Sequence, residues 1–231
     1  MFSKYLGVLL AAVLSVLTLT LTVTGRLQLY INTSQAWFAC GMAVLILIGS
    51  IAALAIRPAD DDHDHDHGSP SRIGAIAGGV GAAVAGAVTL GALILPPATL
   101  SAELAMERDT GTPPLFAGAD DVQLGVVDTS AFGVGDWSAV FATATNPERY
   151  AGETVTLTGF MTDGSLSRLV ITHCVVDAQT ATLPLDGDVA DLATGDWVEV
   201  TGDVEVDADG RLVIAASNLT RIDEPDDPYE Y

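Results

Sequence analysis

The chain has 231 residues, is 49% hydrophobic with a mean hydropathy of +0.42, and carries a formal charge of −21. High hydropathy with strong acidity excludes one ordinary soluble domain and points to an apolar part and an acidic part in one chain. Before Ser101 the only acids are Asp60, Asp61, Asp62, Asp64 and Asp66, so the region that follows holds nearly all the negative charge and repels nucleic-acid phosphates and anionic lipid heads.

Three apolar runs lead the chain, at residues 5–24, 38–56 and 73–95, and none contains a charge. Each reaches the ~20 residues that a helix needs to cross the hydrocarbon of a bilayer. The first follows Lys4 and could be a signal peptide. Its apolar run is too long for a typical signal, however, and no A-x-A site follows it before Arg26, so it reads as an anchor. Short-loop bases set the orientation. Lys4, Arg57 and Arg72 fall on one side of a three-span protein and Arg26 on the other, which puts the N-terminus in the cytoplasm and everything after Leu95 outside. Tyr30, Trp37 and Phe38 sit where an outer aromatic belt is expected, and Pro96–Pro97 stops the third span.

Within that span Gly74, Gly78, Ala82 and Gly86 recur every four residues and form a ridge of small side chains. Such a ridge lets two helix backbones approach closely, either within the protein's own spans or against another membrane subunit. The cytoplasmic loop 59–70, "ADDDHDHDHGSP", alternates carboxylate and imidazole. His63, His65 and His67 could gather a divalent ion such as zinc, weakly, because nothing holds a fixed geometry. The competing reading is a solvated loop.

Residues 99–135 read as a linker or tether. Asp136–Gly152 looks like one helix, with Asp136 as its cap, Trp137, Val140 and Phe141 on one face, and Pro147 ending it. Five strand patterns follow, separated by turn signals: Glu153–Met161, Ser167–Val176, Thr180–Asp186, Asp196–Val206 and Arg211–Ile222. With a short helix at Val189–Ala193, the predicted layout over 136–222 is an OB-like five-stranded barrel. Gly159 and Gly202 fall where a small barrel needs a bend or bulge. The acidic tail, 223–231, reads as disordered. The fold class is thus a membrane α unit of three transmembrane helices plus a small all-β extracytoplasmic domain. Barrels of this kind often bind oligonucleotides, but five bases and few aromatics leave no means to do so here.

His173 and Cys174 lie within the second predicted strand. On an unbroken strand they point to opposite faces, and His173 and Asp177 stand about 13 Å apart at ~3.3 Å per residue. An outer metal site on His173, Cys174 and Asp177 therefore requires a bulge or a turn. Three readings of Cys174 stay open: a small buried hydrophobe, a disulfide with Cys40 (also outside), or a ligand beside His173. No G-x-S-x-G, H-E-x-x-H, C-x-x-C or phosphate loop is present, so no catalytic residues are assigned and the sequence does not point to an enzyme.

The segments "GETVTLTGFM", "LSRLVITHCVVDAQTATLPL" and "GDWVEVTGDVEV", with the His-rich loop and "LPPATLS", resemble the YcgQ-like bacterial membrane proteins, a family built on a domain of unknown function and linked to permeases. The resemblance covers nearly the whole chain. It implies partnership with a larger multi-span permease, and a cysteine pair is common in that family where this chain has His173–Cys174. The expected function is that of a membrane-anchored permease subunit whose barrel caps or gates the partner. The alternative is a stand-alone extracytoplasmic metal- or ligand-binding sensor.

Overall fold

The computed structural model describes residues 2–56, 80–81, 83–89, 91, 95, 99–109 and 129–231. The chain divides into two compact units, Met1–Ala98 and Thr99–Tyr231.

In the first unit, α1 (Phe2–Val23) and α2 (Ala36–Ala55) pack against each other, joined through short 3-10 turns at Leu27–Leu29 and Thr33–Gln35. Both are long and apolar enough to cross a membrane, over Leu6–Val23 and Thr33–Ala55. Residues 80–81, 83–89 and 91 of the third apolar run are also helical. Apart from Leu95 the rest of that run, including Gly74, Gly78 and Ala82, lies outside the described residues, as does the loop with His63, His65 and His67. The described residues thus give two full-length apolar helices where the sequence predicts three spans.

Burial in this unit is inverted relative to a soluble protein. On the helices the buried positions are Ser15, Ala43, Ser50 and Thr89, while Leu45, Ile48, Ile51, Leu54, Val84 and Val88 are exposed. Small residues at a helix contact let backbones approach, and large apolar ones facing outward suit a lipid solvent. Two of these hydroxyls are satisfied within their own helices: Ser15 Oγ donates to Ala11 O at 2.9 Å and Thr89 Oγ1 to Ala85 O at 2.8 Å.

The second unit is a closed five-stranded barrel, as the turn spacing predicts. Its strands are β1 (Thr154–Thr162), β2 (Ser165–Val170), β3 (Gln179–Asp186), β4 (Trp197–Val206) and β5 (Leu212–Arg221). The ring runs β1-β2-β3-β5-β4 and returns to β1. All pairs are antiparallel except β3–β5, which meet in parallel at Leu185↔Ile214 and Asp186↔Ala215. Alternation decides the faces: Val155 and Leu157 point in while Thr154 and Thr156 point out, and Val198, Val200 and Val204 point in while Glu199 and Glu205 point out. Asp163 and Gly164 both take positive φ, at 46° and 82°, which suits the two-residue hairpin turn between β1 and β2.

Gly202 marks a bulge as predicted, whereas Gly159 keeps regular register and serves a close backbone approach instead. The β4–β5 register shifts between Thr201 and Gly202, and a Cβ on Gly202 would lie 2.4 Å from Ala215 O. A Cβ on Gly159 would lie 2.5 Å from Ser167 O. Both positions need a bare backbone because another backbone crosses there.

The core continues from the barrel into a helix that precedes it. Trp137, only 1% exposed, packs edge-on against Phe132, Phe141 and Tyr150 at centroid distances of 5.6, 6.1 and 6.1 Å. Val134 and Val140 join it against Leu166, Leu183 and Ile214.

Five expectations are corrected. The predicted 99–135 tether is not all tether: α3 (Ala102–Arg108) packs on β3 and β1, capped by Ser101, with Ala102 and Ala105 buried. Thr180 Oγ1 donates to Ala105 O at 2.6 Å and fixes the contact. The predicted Asp136–Gly152 helix is α4 (Val134–Thr143) followed by a separate 3-10 turn at Pro147–Arg149. It starts two residues early because Asp136 reaches back to accept from Gly133 N at 3.1 Å. Residues 189–193 form turns rather than a helix. The second strand ends at Val170, not Val176, because Asp177 takes the N–H groups of Thr172, His173 and Cys174 and turns the chain. The 223–231 tail is not disordered throughout: β6 (Tyr229–Glu230) pairs in parallel with Leu169 and Val170 of β2. Charge counting misses this because Tyr229, at 3% exposure, supplies a buried anchor.

Candidate functional site

The His173–Cys174 pair lies on a turn after β2, and the turn is organised by Asp177. Its carboxylate accepts from Thr172 N at 3.1 Å, His173 N at 3.0 Å and Cys174 N at 3.3 Å. Three successive N–H groups aimed at one carboxylate form a small anion cradle. Partial burial raises the Asp177 pKa, but the hydrogen bonds from His173, Cys174 and Thr172 outweigh it and hold the carboxyl below its usual range. From α3, Arg108 donates to Val175 O at 3.1 Å and Ala178 O at 3.3 Å, which pins the far side of the turn.

His173 Nδ1 stands 3.1 Å from Asp177 Oδ2, not the 13 Å of an extended strand. Both side chains are open to solvent, His173 at 69% and Asp177 at 35%. The turn thus meets the geometric condition that a metal site here would require. Even so, among the described residues no three His, Cys, Asp or Glu side chains group to hold an ion. Asp177 is also already engaged as the acceptor for its own turn. Cys174 and Cys40 are both free and partly buried, each within its own unit.

A second site, which sequence reasoning missed, lies where the tail returns to the barrel. Glu230 accepts from Val134 N at 2.9 Å and Gly135 N at 2.7 Å, the unsatisfied donors at the start of α4. Burial raises its pKa, and nearby Asp136 adds to that; the two N–H groups and Arg168 pull the other way but do not prevail. Arg168 donates to Thr158 O at 2.8 Å and Asp227 O at 2.7 Å, and its guanidinium lies over the Trp197 ring at 5.5 Å. The Tyr229 hydroxyl accepts from Leu100 N at 3.0 Å. The only sequence signal was two tyrosines inside an otherwise acidic stretch, "DEPDDPYEY".

A third feature is an open cavity of about 380 Å³ beside α4, floored by Phe141, Pro184 and Leu212 and rimmed by Asp109, Asp207 and Arg211. Arg211 is already paired with Asp207 and Asp209 at 3.2 and 3.1 Å, so the rim offers little free positive charge.

No curated protein and no solved structure matches the chain. Two family models do: the DUF1980 N-terminal domain over residues 6–111 and the DUF1980 C-terminal domain over residues 137–231. The first spans the apolar helices and α3; the second runs from Trp137 of α4 through the barrel to the tail. With only residues 1–5 and 112–136 unmatched, the chain belongs to the DUF1980 family, a family of unknown function.

Proposed function

We propose that the chain is a membrane-anchored accessory subunit of a multi-span permease, its barrel lying outside the cytoplasm and capping or gating the partner. The observation that carries this reading is the inverted burial of the helical unit. Large apolar side chains such as Leu45, Ile48, Ile51 and Val88 face outward while serines and alanines pack inside. That surface needs a lipid or protein partner. In this reading the Gly74/Gly78/Ala82/Gly86 ridge is the docking face. The barrel has its own core, and the region from Ser101 onward carries most of the acids, as suits a part held away from anionic cytoplasmic lipid.

Co-purification after mild detergent extraction is the test. The expected result is a stable complex with a multi-span protein that Gly78→Leu disrupts. A protein that runs alone, with Gly78→Leu silent, would sink the docking claim. A reporter fused after Tyr231 that is active only in the cytosol would sink the sidedness.

The His173–Asp177 contact favours a second reading, an extracytoplasmic module for a divalent ion such as zinc. Zinc titration of the full chain discriminates. Tight binding lost in His173→Ala and Cys174→Ala supports the module, and no binding leaves the subunit reading without an outer metal site.

A further inference from the structure

Beyond the Phe160↔Ser167 pair, β1 no longer covers β2, and the β2 edge at Leu169 and Val170 is open to another strand. Residues 227–231 occupy that opening, and distinct features of the groove read them. The β2 main chain pairs with Tyr229 and Glu230, and Ile171 N donates to Glu230 O at 2.9 Å. The Tyr229 side chain is buried, and its hydroxyl takes the Leu100 N–H. The Glu230 carboxylate sits on two N–H groups of α4. Arg168 holds Asp227 O, while its buried Nε has no hydrogen-bond partner among the described residues and stands 3.9 Å from Glu230 Oε1. Gly133 lies directly beneath the Glu230 carboxylate: a Cβ there would stand 2.6 Å from its oxygen, so any side chain at this position moves the carboxylate. Asp136 lines the same groove and disfavours a second negative group beside the first.

Main-chain pairing at an open sheet edge combined with side-chain pockets is the chemistry of strand-addition peptide recognition. We infer that this groove is a recognition site for an extended segment carrying Tyr followed by Glu, and that the tail of a second copy of this chain can take it in place of the resident tail. Only two residues of the tail are in strand pairing, and Asp223, Glu224 and Asp226 of the connector from β5 are exposed. Exchange between copies preserves every groove contact and alters only that connector. The resident tail competes at an effective concentration on the order of mM, so exchange is read only when it is disabled. This inference does not rest on the permease reading.

The test uses two full-length chains with different affinity tags, co-extracted in mild detergent. One carries Tyr229→Ala and Glu230→Ala, which empties its groove. The other carries Gly133→Asp, whose carboxylate occupies the place of Glu230 at the α4 N–H groups and repels it, which closes its groove and leaves its tail free. The pair is expected to co-purify, and neither variant is expected to capture a second copy of itself. A labelled peptide Asp-Asp-Pro-Tyr-Glu-Tyr should bind the emptied chain and not the wild type. Replacing either its first Tyr or its Glu by Ala should weaken binding about 10-fold or more, the scale of one lost buried hydrogen bond. No co-purification, equal binding of the altered peptides, or failure of the emptied chain to fold each overturns the inference. The last outcome would make the tail an integral strand rather than an exchangeable one.

Discussion

Gly202→Ala, at the β4–β5 bulge, is expected to cost the barrel more than a methyl added at any of its turn glycines. The new Cβ would stand 2.4 Å from Ala215 O, 2.9 Å from Ala215 C and 3.0 Å from Ala216 Cα, where ordinary contact begins at 3.4 Å. All three obstacles are backbone, so no side chain can swing aside and β5 must retreat by about 1 Å or lose the bulge. Overpacking of this kind costs ~1–3 kcal/mol, and a three-atom backbone clash belongs at the upper end, about 3 kcal/mol. For a compact unit that runs from Thr99 to Tyr231 this lowers the Tm by roughly 10 °C. Gly210→Ala is the control: its φ of +80° is unfavourable to alanine, but nothing lies within 4 Å. It should cost only ~1–2 kcal/mol. Thermal unfolding of the full chain, followed by tryptophan fluorescence with Trp37 replaced by Phe so that Trp137 and Trp197 of the second unit report, reads both. If Gly202→Ala melts with the wild type, or above Gly210→Ala, the bulge does not depend on a bare backbone and the packing argument fails.

Trp137→Ala should cost about 3–5 kcal/mol in denaturant unfolding, whereas Trp137→Phe should cost under ~1.5 kcal/mol. Phenylalanine keeps the ring contacts and removes an indole N–H that is buried with no partner among the described residues; equal losses in the two variants would refute this. Asp177→Ala should cost the turn about 1 kcal/mol or less, since the side chain is partly exposed. Because the Asp177 pKa is lowered in the fold, its stabilisation is present above the ordinary carboxylate range and is lost as pH falls through the lowered value. Hydrogen exchange at residues 172–174 should rise with that acidification, and unchanged protection would count against the cradle. Glu230 has the opposite sign. Its raised pKa means its contribution is greatest at low pH and falls as pH rises through the folded value. Glu230→Gln should flatten that part of the Tm–pH profile, and an unaltered slope would show that another group sets it.

Most of the barrel was legible because its strands alternate cleanly. Thr154 and Thr156 against Val155 and Leu157 fix two faces without any tertiary knowledge, and Asp163–Gly164 and Asp209–Gly210 mark the turns. The His173 region was less legible for a physical reason. "LVITHCVV" has strand propensity throughout, yet a carboxylate at Asp177 captures three N–H groups and competes successfully with the ladder. The tail and α3 were misread because composition reports charge density, while Tyr229, Ala102 and Ala105 earn their places through contacts distant in sequence. Of the predicted sites, His173, Cys174 and Asp177 do meet at one turn. Glu230 and Arg168 were invisible, since nothing local to either residue announces a helix start contributed by Val134 and Gly135.

The bond from Leu100 N to the Tyr229 hydroxyl spans 129 positions of the chain. It brings the entry and exit of the second unit to one spot, beside the point where the helical unit gives way to it. A pull applied through Thr99 would therefore load the tail clasp before it reached the closed ring of strands. In mechanical terms the clasp is a fuse: β6 would peel from β2 at low force, and the barrel would stay whole.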